Sequence, residues 1–260
     1  MLKDIAVKIL KSFLPNRIKK SLLHLAFHLN PREFERFAHT YCVAPNMAIG
    51  LEFLAARGFS PRTIVDVGAH EGGWTEIAHE IWPASRPIMI EPNRTKQQKL
   101  TEIARTMHGE IHCALLSSVC GQTVAFNVME SGSSVLSENS NAERSIETRT
   151  VATLDSLTLD LVGENNFLKI DVQGYELEVL KGASNSLNAF EAILLEVAII
   201  EINEGAPLLH DVITFMTERG FSASEVLEIH RRPLDKATSQ IDVLFIRKGS
   251  HLLADRRYGI

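Results

Sequence analysis

Cysteine is scarce in this chain of 260 residues: Cys42, Cys113 and Cys120 are odd in number and show no C-x-x-C spacing. That pattern argues against a disulfide framework and against a zinc site, and it suits a reducing cytoplasm. Long apolar runs are missing too. None approaches the roughly 18 to 20 residues that a bilayer span needs. The N-terminus also lacks an uninterrupted apolar stretch with a small-residue cleavage site, so the protein is expected to stay where it is made. Positive charge is not in excess: 27 Lys and Arg face 32 Asp and Glu, a net charge of -5, which argues against nucleic acid as the main partner. No internal repeat or low-complexity tract is evident. What remains, 45% apolar and 23% charged, is an ordinary globule. It is long enough to bury a full core as one domain with an appendage or as two small domains.

The stretch around which the chain is organised is Thr63 to Gly72, TIVDVGAHEG. Thr63-Ile64-Val65-Asp66-Val67 is short, β-branched and nearly all apolar, which suits a strand covered by helices on both faces. Gly68 and Gly72 then let the backbone turn tightly and approach a ligand, since no Cβ intervenes. Asp66 lies inside that strand, and a second acid, Glu91, closes the apolar run Pro87-Ile88-Met89-Ile90. Two parallel strands that each carry a carboxylate to the same sheet edge suit a ligand with a cation and a ribose diol. S-adenosylmethionine (SAM) has both. A dinucleotide site would want G-x-G-x-x-G, and here the register gives Gly68-Ala69-His70-Glu71-Gly72-Gly73, with His70 in place of the middle glycine and a negative charge at Glu71. SAM is therefore favoured over NAD, although an NAD-dependent oxidoreductase on the same kind of sheet remains the alternative.

Residues 1–60 read as an N-terminal helical extension by their 3.6-residue periodicity. Leu2, Ile5, Ile9 and Leu10 form one stripe, and Ile18, Leu22, Leu25 and Leu29 a second. A third piece covers Glu33 to Tyr41, and a fourth runs from Pro45 or Asn46 to Arg57, ended by Gly58. Lys3, Lys8, Lys11, Arg17, Lys19 and Lys20 face a single acid, Asp4, over the first turns. Such a basic amphipathic segment either lies on an anionic membrane surface, as a peripheral contact, or packs as a solvated helix on its own domain.

From Pro61 the pattern alternates strand and helix, the mark of a parallel sheet with helices on both sides. The expected helices are Gly73 to Trp82 and Arg94 to Met107, and the third strand is Glu110 to Leu115. Residues 117–156 read as a hairpin-like insertion, with extended pieces at 123–128 and 148–154 around a polar loop that holds Ser131-Gly132-Ser133-Ser134. The fourth strand, Phe167 to Val172, puts Lys169 and Asp171 on one face. A lysine there is expected to pair with a carboxylate, Asp171 or Glu176. A helix from Tyr175 to about Leu187 follows, then a strand from Ala192 to Val197 that carries Glu196 near its end. After a helix from Pro207 to Glu218, strands at Phe221 to Ile229 and Ile241 to Arg247 form a terminal antiparallel hairpin.

Three segments together, TIVDVGAHEG from Thr63, Ile90-Glu91-Pro92-Asn93, and LKIDVQGYELEVLKGA from Leu168 to Ala183, resemble the successive motifs of FkbM-type SAM-dependent methyltransferases. The last is the most specific, and the likeness spans about Pro61 to Lys248. The resemblance implies an α/β class I methyltransferase (Rossmann-like) domain over 61–260: a mostly parallel, seven-stranded sheet with helices on both faces. It also implies O-methylation of a hydroxyl on a sugar, glycolipid, polysaccharide or polyketide acceptor. Carried over, Asp66, Gly68, Ala69 and Gly72 would line the methionine end of SAM. Glu91, with Pro92 and Asn93 beside it, would hold the ribose. His70 stands where the family often has Asn, so its part in the cofactor site stays open.

Methyl transfer to a hydroxyl needs alignment and a base for the departing proton. Asp171 and Glu196 are the candidates because both end central strands at the ligand edge, and His70 is a third. Carboxylates at a sheet edge can hold a hard cation such as Mg²⁺, but no spacing in the sequence demands a metal ligand set. Nucleic-acid amino methylation is disfavoured because Asp171-Val172-Gln173-Gly174 lacks a Pro-Pro-aromatic element. A third class of reading keeps the sheet as a mere scaffold for a non-catalytic membrane- or partner-binding module. Substrate identity and oligomeric state leave no readable pattern.

Overall fold

A computed structural model describes residues 15–30, 45–161 and 163–259. The chain divides into two units, Met1–Ala44 and Pro45–Ile260. In the first, α1 (Asn16–Leu29) leaves Ile18, Leu22 and Leu25 exposed. The stripes expected at Leu2 to Leu10 and at Glu33 to Tyr41 fall outside the described residues.

The second unit begins with α2 (Met47–Ala56), which periodicity alone groups with the N-terminal extension. Asn46 caps it, its Oδ1 accepting from the Ile49 N–H at 3.2 Å. Met47, Gly50, Leu51 and Leu54 are buried at helical spacing. Gly50 lets α2 pack closely on Leu227, since a Cβ there would stand 2.5 Å from Leu227 Cδ2 and displace that side chain. Helix α2 is thus part of the sheet's own core.

Three strands and two helices follow: β1 (Thr63–Val67), α3 (Gly73–Ile81), β2 (Arg86–Ile90), α4 (Gln97–Met107) and β3 (Glu110–His112). Strand β1 is buried along its whole length, as a strand with helices on both faces must be. Farther along come β7 (Asn166–Ile170), α5 (Glu176–Lys181), β8 (Phe190–Ala198), α6 (Leu209–Glu218), β9 (Phe221–Arg231) and β10 (Thr238–Arg247). These strands form one seven-stranded sheet in the order β3-β2-β1-β7-β8-β10-β9. Pairing is parallel from β3 to β8, and β10 runs antiparallel between β8 and β9. This is the mostly parallel class I methyltransferase sheet that the family motifs imply. Its order reverses between β1 and β7, where open α/β sheets take their ligands.

The core lies on both faces. Val65, Ile88, Leu168, Ile193 and Phe245 pack beneath α5 and α6, while Ile64, Phe167, Leu194, Leu244 and Ile246 pack beneath α2 and α3.

Two elements differ from the sequence reading. The strand expected over Glu110 to Leu115 breaks at Cys113: residues 110–112 stay on the large sheet, while β4 (Leu115–Leu116) leaves it. Strand β4 joins β6 (Ser145–Ala152) in parallel, and β5 (Thr123–Val128) pairs antiparallel on the other side of β6. The insertion is therefore a three-stranded sheet rather than a lone hairpin. The helix expected from Tyr175 to Leu187 stops at Lys181 because Gly182 lies under the insertion. A Cβ at Gly182 would sit 2.1 Å from Ser117 O, and the Asp155 N–H donates to Gly182 O at 3.0 Å.

Candidate active site

The carboxyl ends of β1, β2 and β7, together with the insertion, enclose a cleft with an empty volume of about 860 Å³, counting its open mouth. Gly68, His70, Glu91, Pro92, Asn93 and Asp171 all line it. Across from them stand Phe126 and the Ser131–Val135 loop, so the insertion covers the ligand edge.

Glu91 is the organising acid. Its Oε2 accepts from the His70 N–H at 2.8 Å and its Oε1 from the Asn93 N–H at 2.7 Å. Burial pushes its carboxyl above the usual range, and these backbone donors work against that push. A carboxylate has acceptor capacity beyond two bonds. Glu91 can therefore still take the hydroxyls of a ribose, which is the fit that SAM requires.

Gly68 brings the backbone close, at φ 79°. His70 also adopts a positive φ, 48°, and its Nε2 meets Glu130 O at 2.9 Å, which ties the turn to the insertion. That ring is thereby engaged in holding a loop. Glu71, where a diphosphate would need neutral backbone, is held at a pKa of about 2 by the Lys99 and Lys96 ammonium groups.

Three expected cofactor residues do not line the cleft. Asp66 is fully buried, accepting from Thr75 Oγ1 at 2.6 Å and pairing with Lys169 Nζ at 3.4 Å. Alternation along β1 turns it onto the face packed by α3, so it anchors that helix. Gly72 adopts φ 82°, the left-handed region that favours glycine, and packs toward α4, where a Cβ would lie 2.5 Å from Ile103 Cδ1. Ala69 packs in the same apolar cluster, beside Met89 and Leu100.

The proposed bases also separate. Asp171 reaches the cleft. Burial opposes its ionisation, but the Lys169 ammonium at 3.2 Å, aided by side-chain hydrogen bonds from Glu196 and then Gln173, holds its carboxyl below the usual range. Lys169 thus pairs with Asp171, as expected, and with Asp66 rather than Glu176. Glu196 stands back from the cleft, because Gln173 Nε2 donates to both Asp171 Oδ1 (2.9 Å) and Glu196 Oε2 (2.6 Å). Burial, then the charges of Asp171, Asp242 and Glu176, push the Glu196 carboxyl well up.

Sequence reasoning missed Gln173 as a site residue. Its φ of 57° is a conformation that a non-glycine residue adopts only when its surroundings hold it. The dipeptide Gln173-Gly174 directly after a strand was the available signal. Ser134 was read only as part of a loop. Its Oγ donates to Gln173 O at 3.0 Å and so fastens the insertion to the cleft wall.

Glu176 supports the same loop, its Oε1 accepting from Val172 N–H (3.1 Å) and Gly174 N–H (3.0 Å), while burial raises its pKa to about 7. A folded-state pKa above the ordinary glutamate value of 4.5 favours the protonated fold. The associated stability is full below about pH 4.5 and is lost as pH rises through 7, on the order of 3 kcal/mol. In Glu176→Gln the amide oxygen can accept both bonds and has no proton to lose. Urea unfolding from pH 5 to 8 is expected to show a steeper fall for the wild type than for the variant. Parallel slopes would mean that Glu176 is ionised throughout.

A family model described as Methyltransferase FkbM domain matches residues 66–223, more than half of the chain. No curated protein matches. Among solved structures, an FkbM methyltransferase from Methylobacillus flagellatus is similar at 16% identity and a TM-score of 0.46. The match covers 70% of this chain and 43% of that one, so this chain spans less than half of that protein's length. A precorrin-6y C5,15-methyltransferase from Geobacter metallireducens is similar at 12% identity, covering 76% and 86% of the two chains with a TM-score of 0.43. A 1,6-didemethyltoxoflavin-N1-methyltransferase from Burkholderia thailandensis, solved with S-adenosylhomocysteine, is similar at 10% identity, 90% and 92% coverage and a TM-score of 0.45. The family model displaces the dinucleotide oxidoreductase reading, whose diphosphate register His70 and Glu71 already interrupt. From the matched segment, and from a cleft walled by Gly68, Glu91 and Asp171, the chain belongs to the FkbM family of SAM-dependent methyltransferases.

Proposed function

We propose that this protein methylates a hydroxyl oxygen of a glycan, glycolipid or polyketide-type acceptor, in a cytoplasm where Cys113 and Cys120 remain free thiols. Bound SAM would supply a methyl group already activated by its sulfonium. The chain's own part is to hold and align. Glu91, Pro92 and Asn93 form the ribose end, and Gly68 and His70 flank it.

The observation that carries this reading is Asp171, an ionised carboxylate on the cleft wall backed by Lys169. A carboxylate held below its usual pKa is a weak base, but it is always free to accept. That suffices here, because a hydroxyl proton becomes strongly acidic once its oxygen has begun to bond carbon. The segment Asp171-Val172-Gln173-Gly174 offers no stacked clamp for a flipped base.

Tritiated-methyl SAM offered with oligosaccharide, glycolipid and polyketide fractions, and separately with peptides and nucleic acid, tests the proposal. Label is expected in alkali-stable ethers; label confined to nitrogen or to alkali-labile esters would overturn it. In the same preparation Glu91→Ala should weaken SAM binding by about 1–3 kcal/mol, roughly 5- to 150-fold. Unchanged binding would remove Glu91 from the cofactor site.

A further inference from the structure

We propose that Glu228, His230 and Asp242 form a binding site for one divalent transition ion of the Mn²⁺ or Zn²⁺ type. Glu228 and His230 are two apart on β9 and so share a face, and Asp242 on β10 is the register partner of Glu228. One ligand atom from each lies within 4.8 Å of the others. Donors bound about 2 Å from a metal stand up to about 4 Å apart, so a small side-chain rotation brings the set together.

The plain alternative is an ion pair, since His230 Nε2 lies 2.7 Å from Asp242 Oδ2. Two further observations favour a cation. Asp242 is also the register partner of Glu196 on β8, whose side chain is 8% exposed and whose Oε1 faces His230 Nε2 at 3.9 Å, beyond hydrogen-bonding range. The Glu228 side chain, part-buried, makes neither a hydrogen bond nor an ion pair among the described residues. Asp171, Glu196, Asp242 and Glu228 thus follow one another across the sheet's carboxyl edge. Among the described residues, the ion pairs this row makes are with Lys169 and His230 alone. Buried carboxylates with so little opposing charge are costly, and a divalent ion offsets that cost.

The donor chemistry selects the ion. Imidazole with carboxylates suits Mn²⁺ or Zn²⁺, whereas Mg²⁺ and Ca²⁺ prefer oxygen throughout. The site adjoins the cleft, because Gln173 and Gln240 both donate to Glu196 Oε2, at 2.6 and 2.7 Å, and Gln173 lines the cleft.

Mn²⁺ titrated into the full-length, chelator-treated protein, followed by calorimetry and by loss of the free-ion electron paramagnetic resonance signal, tests the site without any assay of activity. One ion per chain is expected, displaced by Zn²⁺ but not by equimolar Mg²⁺. Binding should weaken at least about tenfold in His230→Ala and in Asp242→Asn. Each variant is first checked for a metal-free melting temperature close to the wild type. If either fails to fold, Glu228→Gln takes its place, since its side chain has no bond to lose. Absence of saturable binding, or binding unchanged in the folded variants, would overturn the proposal and leave His230 and Asp242 as an ion pair.

Discussion

Lys169→Met is expected to lower the stability of the protein by about 3–5 kcal/mol, the usual cost of removing one partner from a buried ion pair. Lys169 is buried between Asp66 and Asp171, at 3.4 and 3.2 Å. Burial disfavours its charge, yet the two carboxylates, with Asp242 behind them, raise its pKa above the ordinary value. Methionine fills nearly the same volume and restores none of that charge. Asp66 would keep only the Thr75 hydroxyl, in a place with no exposure to water. The remedy identifies the cause: adding Asp66→Asn to Lys169→Met should recover a large part of the loss in urea unfolding. A single-variant loss below about 1 kcal/mol would mean that the pairing of Lys169 with Asp66 and Asp171 contributes little to stability. Asp171 would also lose the ammonium that keeps it ionised, so surviving methyl transfer should shift its dependence on pH upward.

Gly68→Ala is expected to cost about 3 kcal/mol or more and to abolish SAM binding. Two effects combine. The φ of 79° is a strained conformation for alanine, a cost of about 1 kcal/mol. In addition, its Cβ would stand 1.9 Å from Asp171 O, a backbone atom that cannot rotate away. Relief requires moving the turn after β1 away from the loop after β7, and those two segments are adjoining parts of the cleft wall. Gly121→Ala is the matched control, with φ 81° and nothing within 4 Å of its Cβ; it should lose only the conformational part. Equal losses in the two variants would show that the close approach at Gly68 relaxes without cost.

Much of this molecule is legible along the chain. Strand β1 appears at the residues that its run of β-branched side chains marks, Thr63–Val67, and α3 and α4 follow where 3.6-residue periodicity resumes. The two glycines of TIVDVGAHEG are both needed, as their positive φ angles show. Their reasons differ in a way that the motif conceals. Gly68 admits a neighbouring backbone, while Gly72 admits the side chain of Ile103. The acids show the same division. Asp66, Asp171 and Glu196 all lie in or just beyond strands that run to one sheet edge, yet Asp171 alone of the three lines the cleft.

The sequence by itself determined the main strands and helices of the sheet, the tight turn after β1 and the place of Glu91 at the end of β2, because each depends on neighbours a few residues away. Period, glycine placement and strand ends are local quantities. The tertiary structure alone decided which acid meets solvent in the cleft, which one Gln173 screens, and that β4 leaves the main sheet for the insertion. It also brought Glu228, His230 and Asp242 together across an antiparallel pair with an irregular register. Alternation tells which face a side chain takes, but what stands opposite depends on strands that meet only when the chain has folded.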